Sequence, residues 1–322
     1  MAKNNSGISG DLGMGYTKEF TKHLTEERNE KTMDLDLLDT QDLVQKVQSE
    51  DLIVAEKVKE LIPEIAQAVD IITDKLRVGG RLLYFGAGTS GRIGVLDAAE
   101  CPPTFGVTAD QVQAYIAGGK EAMFYAFESA EDLKELGAKD VVAAEVGPND
   151  AVVGITASAR TPYVFGALEK ARELGAATVV VLNTYNEELV SKCDVAITCL
   201  VGPEALSGCT RMKSGTAQKM ILNLLSTCSM VRLGKVYENL MVDLQPTNDK
   251  LRERAVSIIS LLGGVPRHLA EGALVSSHDR AKTAILMVKR KIGRVQAEEL
   301  LGRCCGSLRK ALVEEIHAEE LQ

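Results

Sequence analysis

Residues 81–100 read RLLYFGAGTSGRIGVLDAAE: an apolar run, a glycine-rich turn and the beginning of a helix, without a break. RLLYF is too short and too uniformly apolar for a surface helix and reads as a strand buried on both faces. Glycines in Gly86-Ala87-Gly88-Thr89-Ser90-Gly91-Arg92 let the main chain turn tightly and bring N–H groups close to a ligand. The helix that follows adds unpaired donors and the positive end of its dipole. The spacing also matches G-x-G-x-x-G, so the turn by itself leaves a dinucleotide, a phosphate or a plain strand-to-helix connection open.

Working outward, Val54, Val58, Leu61, Ile65, Val69, Ile72 and Leu76 recur at helical spacing before the strand. Pro63 is expected to split this run and Gly79-Gly80 to end it. Downstream come four more β-rich runs, Val112–Ile116, Ala151–Ile155, Ala177–Leu182 and Val195–Leu200, with helical segments between most of them. That alternation predicts a parallel five-stranded sheet flanked by helices, with ligand loops at the carboxyl ends of its strands. Lys213 to Leu233 reads as one long helix, apolar on more than one face and therefore buried in the core or between subunits. From Asn248 onward short helices broken at Gly263-Gly264, Gly293 and Gly306 predict a small separate helical unit. The expected division is a tail and arm over 1–50, an α/β domain over 51–245 and a helical domain over 246–322. Residues 1 to about 24 read as a flexible tail.

Two further loops resemble the first in chemistry. The third strand leads into Thr156-Ala157-Ser158-Ala159-Arg160-Thr161-Pro162, and Ser207-Gly208-Cys209-Thr210-Arg211 precedes the long helix. Hydroxyls at one helix start are ordinary caps. Three hydroxyl-rich loops carrying arginine are better explained by one phosphate, and a dinucleotide would not need the second and third. The candidate ligand residues are therefore Gly88, Thr89, Ser90, Gly91, Ser158, Arg160, Thr161, Ser207 and Arg211.

Two carboxylates are candidates for acid and base work. Glu100 is expected at the C-terminal end of its helix, cut off by Cys101-Pro102-Pro103, where the negative dipole end favours the protonated form. Glu131 follows Ser129 at the expected start of another helix, where the ionised form is favoured. Environments that separate two carboxyls in this way suit one as general acid and the other as general base.

Composition narrows the class. A net charge of −8, a pI near 5.3 and the lack of tryptophan disfavour nucleic acid as a partner. Seven scattered cysteines and four distant histidines show no metal-ligand spacing, so no metal or other cofactor is expected, and the thiols read as reduced. No apolar signal core and no membrane-length stretch is present, so a cytoplasmic location is expected.

The runs GAGTSGRIGVLDAAECPPTFG (86–106) and GPEALSGCTRMKSGTAQKMILNLLST (202–227) closely resemble the signatures of N-acetylmuramic acid 6-phosphate etherases. The arm motif TEERNEKTMDLD, SARTPYV (158–164) and GKVYENLMVDL (234–244) are similar to the same family, and the resemblance runs from about Thr25 to the C-terminal helices. It implies a flavodoxin-like sugar isomerase (SIS) fold, shared with the eukaryotic glucokinase regulatory protein. The implied reaction removes D-lactate from N-acetylmuramic acid 6-phosphate and leaves N-acetylglucosamine 6-phosphate. The family's two functional glutamates fall on Glu100 and Glu131. Ala159 stands where the family usually has Gly, Cys209 where Ser is common and Ser214 where Ala is common. A homodimer is expected from the apolar helix. The alternatives are a sugar-phosphate-sensing regulator without turnover and an aldose–ketose isomerase on the same fold.

Overall fold

The computed structural model describes residues 24–314. The expected tail lies almost wholly outside them. The arm begins as three 3-10 turns between Leu24 and Leu37, then α1 (Thr40–Asp51), α2 (Ile53–Lys59) and α3 (Ile62–Arg77). Pro63 sits in the first turn of α3, where its missing N–H costs nothing, and the expected break falls just before it.

The α/β domain then alternates β1 (Leu82–Gly86), α4 (Gly88–Phe105), β2 (Val112–Ile116), α5 (Glu128–Glu131), α6 (Lys134–Ala143), β3 (Ala151–Thr156), α7 (Pro162–Glu173), β4 (Ala177–Leu182), α8 (Glu187–Lys192), β5 (Val195–Thr198) and α9 (Lys213–Arg232). All four pairings are parallel, in the order β2-β1-β3-β4-β5, which is the flavodoxin-like arrangement. Successive strand residues feed opposite faces. Leu82, Tyr84, Val153, Ile155, Val179 and Val181 join the core made with α3, α4 and α9. Leu83, Phe85, Val152, Val180 and Leu182 join the core made with α6 and α7.

One helix departs from expectation. α4 runs on through Pro102 and Pro103 and stops at Gly106, which takes the left-handed conformation at φ 65°. Proline fixes a φ that suits a helix, so two lost donors near the end leave the helix path intact. α9 takes the first of the two settings expected for it, burial within its own chain. It packs against α2, α3 and α4 of its own chain, and its buried residues include Ile221, Leu222, Leu225 and Met230. Its apolar character therefore requires no second subunit.

The C-terminal unit holds α10 (Asp249–Gly263), α11 (Arg267–Ser276), α12 (Ala281–Arg290), α13 (Arg294–Arg303) and α14 (Leu308–Val313) around a core of its own. Lys282 ties it to the segment after α9. Its Nζ donates to Gly234 O at 2.9 Å, Gly306 O at 2.8 Å and Asp243 Oδ2 at 2.5 Å. Burial lowers the Lys282 pKa, and the Asp243 carboxylate opposes that shift.

Helices α6 and α7 touch main chain to main chain. A Cβ on Gly166 would stand 1.9 Å from Lys134 O, and one on Gly137 would stand 1.9 Å from Tyr163 O. Gly166→Ala should therefore lower stability by about 1–3 kcal/mol, read as a lower urea midpoint. An unchanged midpoint would show that the two helices can part without loss.

Candidate active site at the carboxyl edge of the sheet

The carboxyl ends of β1, β3 and β4 lie side by side, so the loops that leave them share one edge. The first loop closes on itself: a Cβ on Gly91 would stand 2.8 Å from Gly86 O and 2.6 Å from Ile116 Cγ1. Ala87 is the N-cap of α4 and makes no side-chain cap. The N–H groups of Gly88, Thr89 and Ser90 thus have no intrahelical acceptor, at the positive end of an 18-residue helix. Ser90 is buried within this turn. Thr89 reaches α9, where its Cγ2 would be 3.4 Å from a Cβ on Gly215.

The second loop stands beside the first. Thr156 and Thr161 share a hydroxyl hydrogen bond of 2.9 Å across it, and Arg160 N donates to Ser158 Oγ at 3.3 Å. Ala159 is buried at φ 54°, a conformation that favours glycine, which accounts for the Gly usual there in the family. Asn186, after β4, donates to Ala159 O at 2.8 Å and holds the turn. Arg160 points to an exposed position.

The third loop is differently engaged. Ser207 Oγ donates to Glu27 O of the arm at 2.9 Å, and Arg211 is exposed. The start of α9 already has an anion. The buried Glu204 carboxylate accepts from Lys213 N and Ser214 N, each at 2.9 Å. Of the two long helices that start near this edge, α4 offers open donors and α9 does not. The Glu204 cap could have been suspected from an acid a few residues ahead of an apolar helix.

Three buried oxygens near this edge have no hydrogen-bond partner: Thr184 Oγ1, Ser214 Oγ and Gln218 Oε1. Gln218 Nε2 donates to Asn183 Oδ1 at 2.9 Å, which links α9 to the end of β4. Ser214 is a position where the family commonly has Ala, and its hydroxyl is accordingly without a bond.

The two glutamates are placed otherwise than expected. Because α4 continues to Phe105, Glu100 sits inside the helix and is exposed, rather than at its end. Glu131 is the last residue of the four-residue α5 instead of the first turn of a longer helix. Dipole effects fade within a turn, so the dipole argument for their roles does not apply. Ala130 packs in the same core as Ala159 and Tyr163, which brings the Glu131 segment to the second loop. Glu100 lies twelve residues along α4 from Gly88, a separation of about 18 Å. One chain therefore packs the Glu131 segment on the second-loop side and carries Glu100 well along α4 from Gly88.

Sequence reading passed over Asp97. Its carboxylate is buried between β1, α4 and α9 and accepts from Tyr84 Oη at 2.8 Å, Asn223 Nδ2 at 2.7 Å and Ser226 Oγ at 3.1 Å. Burial raises its pKa, and the three bonds oppose the shift. The same burial pushes the neighbouring Cys101 thiol up to about 12. A single acid among apolar residues of an inward helix face was the available signal.

The fold and its open first loop define a SIS domain. The models for the glucokinase regulatory protein N-terminal SIS domain and for the SIS domain match residues 64–172 and 122–227. The chain is 52% identical to N-acetylmuramic acid 6-phosphate etherase 2 of Vibrio cholerae, covering 91% of this chain and 95% of that one. With the etherase of Clostridioides difficile the identity is 49%, over 92% and 97% of the two chains. The structure of a phosphoheptose isomerase from Francisella tularensis aligns at 18% identity and a TM-score of 0.46, over 60% of this chain and all of that one. The chain belongs to the N-acetylmuramic acid 6-phosphate etherase family. Among the described residues no helix is long and apolar enough to cross a membrane.

Asp97→Ala would leave the Tyr84 hydroxyl, the Asn223 amide and the Ser226 hydroxyl without their acceptor. Loss of about 3 kcal/mol or more is expected in chemical denaturation, with Asp97→Asn losing clearly less because it keeps the shape and one acceptor. Equal losses in the two variants would contradict this account of the network.

Proposed function

We propose that the chain hydrolyses the D-lactyl ether of N-acetylmuramic acid 6-phosphate, giving N-acetylglucosamine 6-phosphate and D-lactate. The observation that carries the reading is the uncapped start of α4 at the carboxyl edge, in a chain of this family. Its N–H groups and the Ser90 and Thr89 hydroxyls hold the phosphate, with Ser158 and Thr161 closing the second side. Ser207 and Arg211 act less directly, since the third loop is bound to the arm.

The reaction is an elimination followed by hydration. The opened sugar presents an aldehyde that acidifies the C2 proton. One glutamate takes that proton, the electron pair forms the C2–C3 double bond, and the C3–oxygen bond breaks. The other glutamate protonates the departing lactyl oxygen. Water then adds at C3 and C2 regains a proton, with the roles reversed. We assign Glu131 as base, because it lies by the loops that fix the sugar, and Glu100 as acid.

The enzyme works as a homodimer in which Glu100 reaches the site from the second copy. What supports this is the length of α4 between Gly88 and Glu100, together with the apolar side chains Phe124, Tyr125 and Phe127 exposed on the loop ahead of Glu131. Seven free thiols suit a cytoplasmic setting.

Lactate release from the phosphorylated sugar tests the reaction itself. Release should be abolished in Glu100→Gln and in Glu131→Gln, with solvent deuterium still entering C2 only in the Glu100 variant. Mixing the two inactive variants should restore about a quarter of wild-type activity, because half the dimers are mixed and each has one intact site. No recovery on mixing would place both glutamates in one chain's site. Phosphate-free N-acetylmuramic acid should be a very poor substrate, since remote binding energy supports the chemical step. Comparable kcat/KM for both sugars would overturn the assignment of the loops.

A further inference from the structure

The N-terminal arm lies along the loop ahead of α9, and its contacts form one patch. Gly208 N donates to Thr25 O at 2.9 Å, Thr32 Oγ1 to Ala205 O at 2.8 Å and Ser207 Oγ to Glu27 O at 2.9 Å. Beneath them is a buried ion pair. Lys213 Nζ donates to Glu50 Oε2 at 2.7 Å, and the two side chains are 1% and 5% exposed. Asn29 of the arm donates to the same oxygen at 2.7 Å. The charged head of Lys31 stands 3.6 Å from the other oxygen of that carboxylate.

A buried ion pair adds little net stability, because desolvating two charges offsets most of their attraction. What it fixes is position. Lys213 is the first residue of α9 and works in two directions. Its main-chain N–H is held by Glu204, and its side chain reaches back to the arm through Glu50. Two residues further on, Gly215 lies against Thr89 of the first loop, and one turn after Ser214, Gln218 holds Asn183 at the end of β4. The start of α9 is thus the part against which the first loop rests.

We propose that Lys213 and Glu50 are positioning residues for the reaction: with Asn29 they make the arm a clasp that holds the start of α9 against Thr89 and so keeps the first loop in its ligand-binding shape. The proposal rests on the reading that this loop holds the sugar phosphate. It gives a use to the family's arm motif, whose residues 25–32 carry these contacts while Glu26, Arg28 and Glu30 stay exposed.

The test uses the full chain and two variants. Asn29→Ala removes the arm's hydrogen bond to Glu50, together with those of Asn29 to Pro203 O and Lys31 N, and leaves both charges and α9 in place. Glu50→Leu combined with Lys213→Met removes both charges together, which commonly restores stability. Three quantities are measured: tryptic cleavage after Arg28 and Lys31, calorimetric affinity for N-acetylglucosamine 6-phosphate, and KM against kcat for lactate release. Asn29→Ala should be cleaved on the order of 10-fold faster, as expected for loss of one bond to a buried charge. Its affinity should fall and its KM rise several-fold, with kcat little altered. The double variant should match the wild type in thermal stability yet keep the weakened affinity. Unaltered affinity in a variant whose arm is cleaved faster would overturn the proposal. So would unaltered cleavage of Asn29→Ala, or recovery of affinity together with stability in the double variant. If the double variant does not fold, Asn29→Ala decides alone. Binding of the probe without any release of lactate by the wild-type chain would sink the etherase reading and leave the clasp to be judged on affinity and cleavage.

Discussion

A carboxylate buried where β1, α4 and α9 meet sets the geometry on which the rest of this molecule depends. Asp97 accepts from Tyr84 on the strand and from Asn223 and Ser226 on α9. Close approach at Gly94, where a Cβ would stand 3.1 Å from Tyr84 Cβ, already seats α4 tightly on the sheet. Three directional bonds to one acid fix its register, because any slip leaves donors buried without an acceptor. The position of α4 decides where the open N–H groups of Gly88, Thr89 and Ser90 stand, and it decides how far Glu100 is carried from them.

The contrast between the two helix starts at the same edge follows from ordinary capping physics. Ala87 has no side-chain oxygen to offer, so the start of α4 keeps its donors for a ligand. Glu204 accepts from two main-chain N–H groups at the start of α9, which takes those donors out of use. Two helices with similar hydroxyl-rich approaches therefore differ at their starts, and the proposed roles follow: the first to receive the phosphate, the second to support the loop that does so. The arm belongs to this support. It is tied by main-chain and hydroxyl bonds to the loop before α9 and, through Asn29 and Glu50, to the first residue of that helix.

The placement of the two glutamates carries the main functional consequence. Glu131 rides on a short turn packed against the second loop, whereas Glu100 is on an exposed face well down α4. The proposed reaction needs a base and an acid at adjacent carbons, and the proposed pair sits on two different helices, α5 and α4. The proposed second copy, which would deliver Glu100 to the Glu131 site, rests on this placement. That proposal would also give a use to the aromatic side chains exposed on the loop between β2 and α5.

Much was legible in the chain before any coordinates. Apolar runs of strand length alternating with helices dictated the parallel sheet, because backbone groups buried on both faces can be satisfied only by neighbouring strands. Pro63 marked the start of α3, and the glycines of residues 86–91 marked the close turn at the sheet edge. The signature runs fixed the family. What the sequence could not settle was every feature that depends on which residues become neighbours across long separations. Pro102 and Pro103 looked like a helix end, yet the surrounding contacts carried α4 through them to Gly106. The apolar faces of α9 suited either the core or a subunit interface, and the chain's own helices cover most of them, leaving Leu224 and Val231 exposed. That Ser207 donates to Glu27 O, 180 residues away in sequence, could not be read from its loop. Asp97, Glu204 and the Glu50–Lys213 pair are acids and a lysine of ordinary local appearance. Their roles come from burial and from partners that only the folded chain brings within hydrogen-bond reach, since local sequence governs turns and periodicity while desolvation is set by the whole tertiary packing.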